Sequence, residues 1–433
     1  MTNSHQAGST PADVMVTTNR VEVVDGTVPA PAPADPGPGE PHGGGEGGGT
    51  KPPVILFLPG LSTLGHNTTV RLADVMCANL TRGPGTFAVR SLDTSAGALS
   101  DGRRIVEADE ASVLDLYTVQ FRQALPKPAV EVQRPGVLAQ LRLMVTQTLY
   151  FLRALWLLLK AIRRPAKTPV AKWQLLIGVA AVLSLFASIL VTVVAILTVF
   201  GVIEAPRLSE DLVDVLALGS TAATTWLITK AAPMVRKAAA MVQQVLDYAE
   251  HDQNTATVTN CLGDALDAVL EDDPGREVYV LGYSLGALVA VDYLSPRRSQ
   301  LGSLDDRHAR AIKGLVTIGC PIDFIRLYFP AYMLGRDTRV TDLPWVNIYI
   351  AADVLGSNMG DDGDVEQPTG QSVVSVGDLR PAMSYRYTNE KLGFLNIWGQ
   401  RGFLSHGEYW SVPGSGNCLE LVTGIALGTV SVP

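Results

Sequence analysis

The stretch Val278-Tyr-Val-Leu-Gly-Tyr-Ser284-Leu-Gly-Ala-Leu-Val-Ala-Val-Asp-Tyr293 decides how the rest of the chain is read. Its first four residues form an apolar run entered from the turn Asp272-Asp-Pro-Gly275, which suits a strand buried on both faces of a parallel sheet. From Ala287 onward the residues are apolar enough for a buried helix. Between the two lies Gly282-Tyr-Ser-Leu-Gly286, the spacing G-x-S-x-G. Five such letters occur readily in ordinary glycine-bounded turns, and only the strand, turn and helix context makes them informative. In that context two glycines allow a turn so sharp that the serine hydroxyl stands above the sheet, because a Cβ at either position would meet neighbouring backbone. Ser284 is therefore the expected nucleophile.

Working outward, Pro52-Pro-Val-Ile-Leu-Phe-Leu-Pro-Gly60 is a second buried-strand run, followed by helical spacing from Asn67 to Leu80 and a strand candidate over Phe87–Asp93. This order predicts a βαβ start. Beyond the serine, Ile312–Ile318 and Trp345–Ala351 continue the alternation. Residues 1–50 are rich in Pro and Gly and cannot bury enough apolar surface to offset chain entropy, so a disordered tail is expected there. No basic segment followed by an apolar one opens the chain, and export through a signal peptide is not expected.

The chain has 433 residues, 47% apolar and 18% charged, which excludes disorder throughout and leaves room for a large core. Its 34 basic against 42 acidic residues give a net charge of −8, with no excess to neutralise a phosphate backbone, so nucleic acid is excluded as a partner. The cysteines Cys77, Cys261, Cys320 and Cys418 are widely spaced, which argues against both a zinc site and a disulfide framework.

One part departs from this pattern. Trp173 to Ile203 contains no charged side chain over 31 residues, more than the ~20 that cross a bilayer. A shorter apolar stretch, Val215 to Thr229, follows. Basic residues flank the pair outside, among them Arg163, Arg164, Lys167, Lys230 and Lys237, whereas the turn Glu204–Asp211 is acidic. The positive-inside rule then predicts a transmembrane hairpin over about 173–203 and 213–232, with both flanks cytoplasmic. Strands on either side of it must share one sheet, so the number of crossings must be even. An apolar cap over the active site is the alternative.

A serine hydroxyl needs a base to take its proton and an acid to orient that base. His5, His42, His251 and His308 fall in polar surroundings and are expected to be solvated, and His66 lies just after the first strand. His406, in Leu404-Ser-His-Gly-Glu-Tyr-Trp410, comes late in the chain on a loop, as the order Ser, Asp, His requires. Asp353 leaves the C-terminal edge of the Trp345 strand and is the preferred acid; Asp323, leaving the preceding strand, is its rival. The amides of Leu285 and Leu61 occupy the positions of oxyanion donors. Ser62 and His66 could line the same pocket. The cluster Asp361, Asp362 and Asp364 lacks the final bidentate glutamate of a calcium loop and reads as solvated.

Taken together, Phe57-Leu-Pro-Gly60, Gly282-Tyr-Ser-Leu-Gly286, Val316-Thr-Ile-Gly-Cys-Pro321, Trp345-Val-Asn-Ile-Tyr and Ser405-His-Gly-Glu-Tyr-Trp410 resemble the α/β-hydrolase fold in its lipase and esterase branch. The resemblance covers residues 52–95 and 275–412. It implies a mostly parallel, doubly wound sheet with a long helical insertion, and a Ser284, Asp353, His406 triad that cleaves an ester or thioester through an acyl-enzyme intermediate. Two departures stand out: Pro59 replaces the customary histidine, and about 150 residues are inserted before the serine. The resulting expectation is a tail at 1–50, a first part of the catalytic domain at 51–115, a helical insertion at 116–255 and a second part at 256–433. The whole would be a membrane-anchored serine hydrolase with its catalytic domain in the cytoplasm, acting on a small-molecule or lipid ester without cofactor or metal. A thioesterase or peptidase, or an inert membrane-bound interaction module, remain the other readings.

Overall fold

Strand β1 (Val54–Leu58) is five apolar residues, all buried. A computed structural model of the chain describes residues 51–61, 68–83, 85–94, 97–125, 156, 244–297, 304–329, 332, 336, 343–350, 353, 355–357, 371–374, 382–386, 405–410 and 418–430. Successive strand side chains point to opposite faces, so a strand apolar at every position must be covered on both. That is what β1 receives. Val54, Leu56 and Leu58 join a core with the helices α2 (Asp252–Asp272) and α3 (Leu285–Leu294). Ile55 and Phe57 join a core on the other face with α1 (Thr68–Thr81) and the C-terminal α6 (Cys418–Ala426).

The remaining strands are β2 (Phe87–Ser91), β3 (Leu99–Glu107), β4 (Ser112–Val119), β5 (Val278–Tyr283), β6 (Ile312–Ile318), β7 (Trp345–Tyr349), β8 (Gln371–Val374) and β9 (Ala382–Arg386). Short helices α4 (Asp306–Ala311) and α5 (Ile322–Tyr328) flank β6. All nine strands form one sheet in the order β2-β3-β4-β1-β5-β6-β7-β9-β8. From β4 to β9 the neighbours run parallel, whereas β2, β3 and β4 pair antiparallel, as do β8 and β9.

This corrects the expected mostly parallel, doubly wound α/β-hydrolase sheet: the sheet is mixed, with antiparallel strands at both ends. The physical reason lies in connection length. Only residues 108–111 link β3 to β4, and a parallel crossover needs a dozen or more residues, so the two strands must form a hairpin. The segment over 87–93 was expected to complete a βαβ unit. Instead β2 pairs with β3 at the sheet's edge, and its largely exposed side chains fit that place. β4 runs on to Val119 beside β1.

The membrane expectation is corrected as well. Among the described residues no helix is long and apolar enough to cross a membrane, so neither the expected transmembrane helices nor the membrane location is supported. The longest described helix, α2, has 21 residues but carries five acidic side chains, with its apolar face against the sheet. The most apolar helix, α3, has ten residues, about 15 Å of rise against a hydrocarbon core of about 30 Å, and is buried almost throughout. The stretches 173–203 and 213–232, like the expected tail at 1–50, lie outside the described residues.

Candidate active site

Ser284 occupies the single position between the end of β5 and the start of α3, with φ 55° and ψ −122°. A positive φ is uncommon for a non-glycine residue and persists only where the surroundings impose it. Here they do. The Ser284 amide donates to the Ile318 carbonyl at 2.9 Å, extending the β5–β6 ladder, while its carbonyl accepts from Ala287 N at 3.0 Å in the first turn of α3. The chain must reverse within one residue. A Cβ on Gly282 would lie 2.4 Å from Ala287 Cα, and one on Gly286 would lie 2.1 Å from the Leu58 carbonyl oxygen, so only glycine lets α3 pack this closely on β5 and β1. Ser284 is half-buried at the C-terminal edge of the parallel strands.

Asp353 and His406 meet although 53 residues separate them in sequence. His406 Nδ1 lies 2.8 Å from Asp353 Oδ2, and both side chains are buried. An ionised carboxylate only accepts, so Nδ1 carries the proton and Nε2 of the neutral ring is an acceptor. Nε2 is buried and has no hydrogen-bond partner among the described residues, the hydroxyl of Ser284 included. In enzymes without substrate such bonds are often long and tighten on binding. The imidazole stacks on Tyr283, the residue before Ser284, with centroids 5.2 Å apart and planes 22° from parallel. Near the ring edge is Gly319, which follows the Ile318 carbonyl bonded to Ser284. With φ 56°, a Cβ there would sit 3.1 Å from His406 Cε1 and 3.3 Å from Asp353 Oδ2.

Two tyrosines absent from the sequence-based expectations hold this pair. Tyr409 donates its hydroxyl to Asp353 Oδ2 at 2.7 Å and accepts from Ile350 N at 3.1 Å, which ties the carboxylate to the end of β7. Burial, and then the neighbouring Asp353 charge, keep the Tyr409 phenol well above its ordinary range, so it stays a neutral donor. Leu355 N supplies another bond, to Asp353 Oδ1 at 2.9 Å. Tyr283 donates to the main-chain carbonyl of His406 and packs edge-on against Trp410. The available signal was position: Tyr283 lies inside the G-x-S-x-G motif and Tyr409 three residues after the histidine, in the short 3₁₀ turn Ser405–Trp410.

The other expected residues take varied places. Leu285 opens α3, where the first amides have no intrahelical acceptor. Leu61 is partly buried against the core beside Gly60. Asp323 lies in the first turn of α5 and pairs with Arg326 at 3.4 Å, so it is Asp353 that reaches the histidine. His251 precedes α2 and is exposed. His308, expected to be solvated, is buried between the Tyr293 hydroxyl at 2.6 Å and Asp267 at 3.0 Å, because α4 folds its short turn against α2 and α3. Ser62, His66, His5, His42, Asp361, Asp362 and Asp364 lie outside the described residues. Among the described residues no group of three His, Cys, Asp or Glu side chains could hold a metal, and all four cysteines are free.

Comparison with protein-family models and with curated proteins gives no match for this chain, so the expected hydrolase, lipase or esterase character gains no support from a relative. What the site can do has to be judged from its own geometry.

Proposed function

We propose that the chain hydrolyses carboxylic esters through an acyl-enzyme intermediate on Ser284. One observation carries this reading: the buried Asp353–His406 pair, with the imidazole resting on Tyr283 and beside Gly319, the residues that border the serine. Ser284 Oγ attacks the ester carbonyl and gives its proton to His406 Nε2. The oxygen that takes up negative charge is met by the amides of Leu285 and Leu61, the first strengthened by the positive end of α3. His406 then passes the proton to the departing alkoxide, which leaves the acyl group on Ser284. Water, deprotonated by His406, attacks that ester; collapse releases the carboxylic acid and restores the hydroxyl. Throughout, Asp353 fixes the tautomer of His406 and stabilises the imidazolium, and Tyr409 fixes Asp353.

The test is steady-state turnover of p-nitrophenyl esters of graded acyl length by the full-length protein. Turnover should fall by roughly four orders of magnitude or more in Ser284→Ala with folding unchanged, because residues of such a unit act together. A Ser284→Ala protein as active as the parent would refute the proposal.

A further inference from the structure

Resting on the serine-nucleophile reading above, we infer that Arg122 is a positioning residue that aims the Leu61 N–H at the developing oxyanion. The argument begins with the sheet. β1 lies between β4 on one edge and β5 on the other, parallel to both, so the three strands release their C-terminal ends side by side. From the end of β4 the chain enters the 3₁₀ turn Arg122–Ala124, and from there the Arg122 guanidinium donates to the carbonyl of Gly60, just beyond β1. From the end of β5 comes Ser284.

The Gly60 carbonyl and the Leu61 N–H belong to one peptide unit, which is planar and trans, so they point in opposite directions. The carbonyl is held toward Arg122, on the β4 side. The N–H therefore faces the β5 side, where the nucleophile stands. The approach there is close: a Cβ on Gly60 would fall 2.7 Å from Ser284 Cβ, so glycine is what lets this peptide reach the serine. A guanidinium on the carbonyl also polarises the peptide and makes its N–H a better donor, since hydrogen bonds to charged groups are the stronger ones and successive bonds reinforce one another. Arg122 can serve as a fixed point because its turn is anchored at both ends by buried side chains, Phe121 and Leu125, with Ala124 N bonded to Phe121 O at 3.0 Å and Leu125 N to Arg122 O at 3.3 Å. Partial burial lowers the basicity of the guanidinium, yet arginine remains charged in proteins. Nothing in the sequence pattern marks Arg122, which lies 162 residues before the serine in a segment without a motif.

The experiment compares the full-length parent with Arg122→Met and Arg122→Lys on a p-nitrophenyl ester. It also measures inhibition by a trifluoromethyl ketone, which forms a charged tetrahedral adduct, and by the corresponding uncharged amide, which mimics bound substrate. In Arg122→Met, kcat should fall about 10- to 100-fold with KM nearly unchanged, the signature of a donor that acts only in the transition state. The trifluoromethyl ketone should weaken by a similar factor while the amide binds as before, and Arg122→Lys, which keeps a cationic donor, should recover part of both losses. Unchanged kcat and ketone binding in Arg122→Met would overturn the inference, as would equal weakening of ketone and amide. Should Arg122→Met fail to fold, Arg122→Lys decides: a loss confined to kcat and ketone binding supports the inference, and its absence overturns it. A parent protein without turnover, on which the ketone forms no adduct at Ser284, would instead bring down the serine reading itself.

Discussion

At Asp353 three donors converge: the His406 ring, the Tyr409 hydroxyl and the Leu355 amide. Replacing it by Asn keeps the shape but lets the side chain donate where it must accept, which favours the wrong tautomer of His406. Asp353→Asn should therefore lower kcat by about 10⁴-fold, while Asp323→Asn, which disturbs a contact with Arg326 away from the histidine, should stay near the parent value. Assaying both variants side by side tells the two acids apart. Tyr409→Phe removes one bond to the carboxylate and leaves Ile350 N without its acceptor; a stability loss of about 1–3 kcal/mol in urea unfolding is expected, together with a smaller fall in kcat than in Asp353→Asn. Ser284 and Asp353 were legible because polar residues at the exits of apolar strands are conspicuous, and His406 because it comes late in the chain, as the order Ser, Asp, His requires. Tyr283 and Tyr409 were not, since a buried tyrosine in sequence looks like any other core residue.

The elements divide along a physical line. β1 and β5 are apolar runs buried on both faces, and β6 and β7 are mostly apolar and buried, interrupted by Lys313 and Thr317 and by Asn347; such runs can be read directly. β3 and β4 escaped notice because they are amphipathic; Arg103, Arg104 and Glu107 interrupt any apolar run in β3, and only the pairing explains them. Arg104 makes a two-pronged contact to buried Asp115 on β4, at 2.6 and 2.7 Å, and Arg276 before β5 reaches the same carboxylate. The sharp turn at Ser284 can be tested through its second glycine. Gly286→Ala drives a Cβ into the Leu58 carbonyl, backbone that cannot rotate away, so α3 must shift from β1. Overpacking of this kind costs about 1–3 kcal/mol, visible as a lower urea midpoint, and displacement of Ser284 should reduce kcat in the same variant. An unchanged midpoint would mean that α3 is less tightly held than the contact implies.

For the molecule as a whole, the membrane expectation rested on the uncharged stretch 173–203, which lies outside the described residues. Apolar helix surface covers a sheet as readily as it meets lipid, and the described helices use theirs on the sheet. The parts are also joined by buried charge. Asp292 on α3 accepts from Tyr248 at 2.6 Å and from Tyr332, and pairs with Arg336 at 2.6 Å, uniting three distant stretches of chain. Removing one partner leaves an uncompensated buried charge, so Arg336→Met should destabilise the fold by about 3–5 kcal/mol in thermal or urea unfolding, whereas replacing exposed Arg90, paired with Glu110 at the surface, should change little. The buried C-terminal helix adds a pH dependence. Burial pushes the Cys418 thiol up to about 12, against an ordinary value of 9.0, so the unfolded chain gives up this proton first. Its contribution is present in full below pH 9 and is lost as pH rises toward 12, and Cys418→Ala should unfold with a flatter alkaline decline than the parent.

The most direct measurement is mass spectrometry of the full-length protein after reaction with a fluorophosphonate, which traps an activated serine. A single adduct on Ser284, formed far more slowly in His406→Ala, is the predicted result. No adduct, an adduct on another residue, or equal rates in the two proteins would contradict the account.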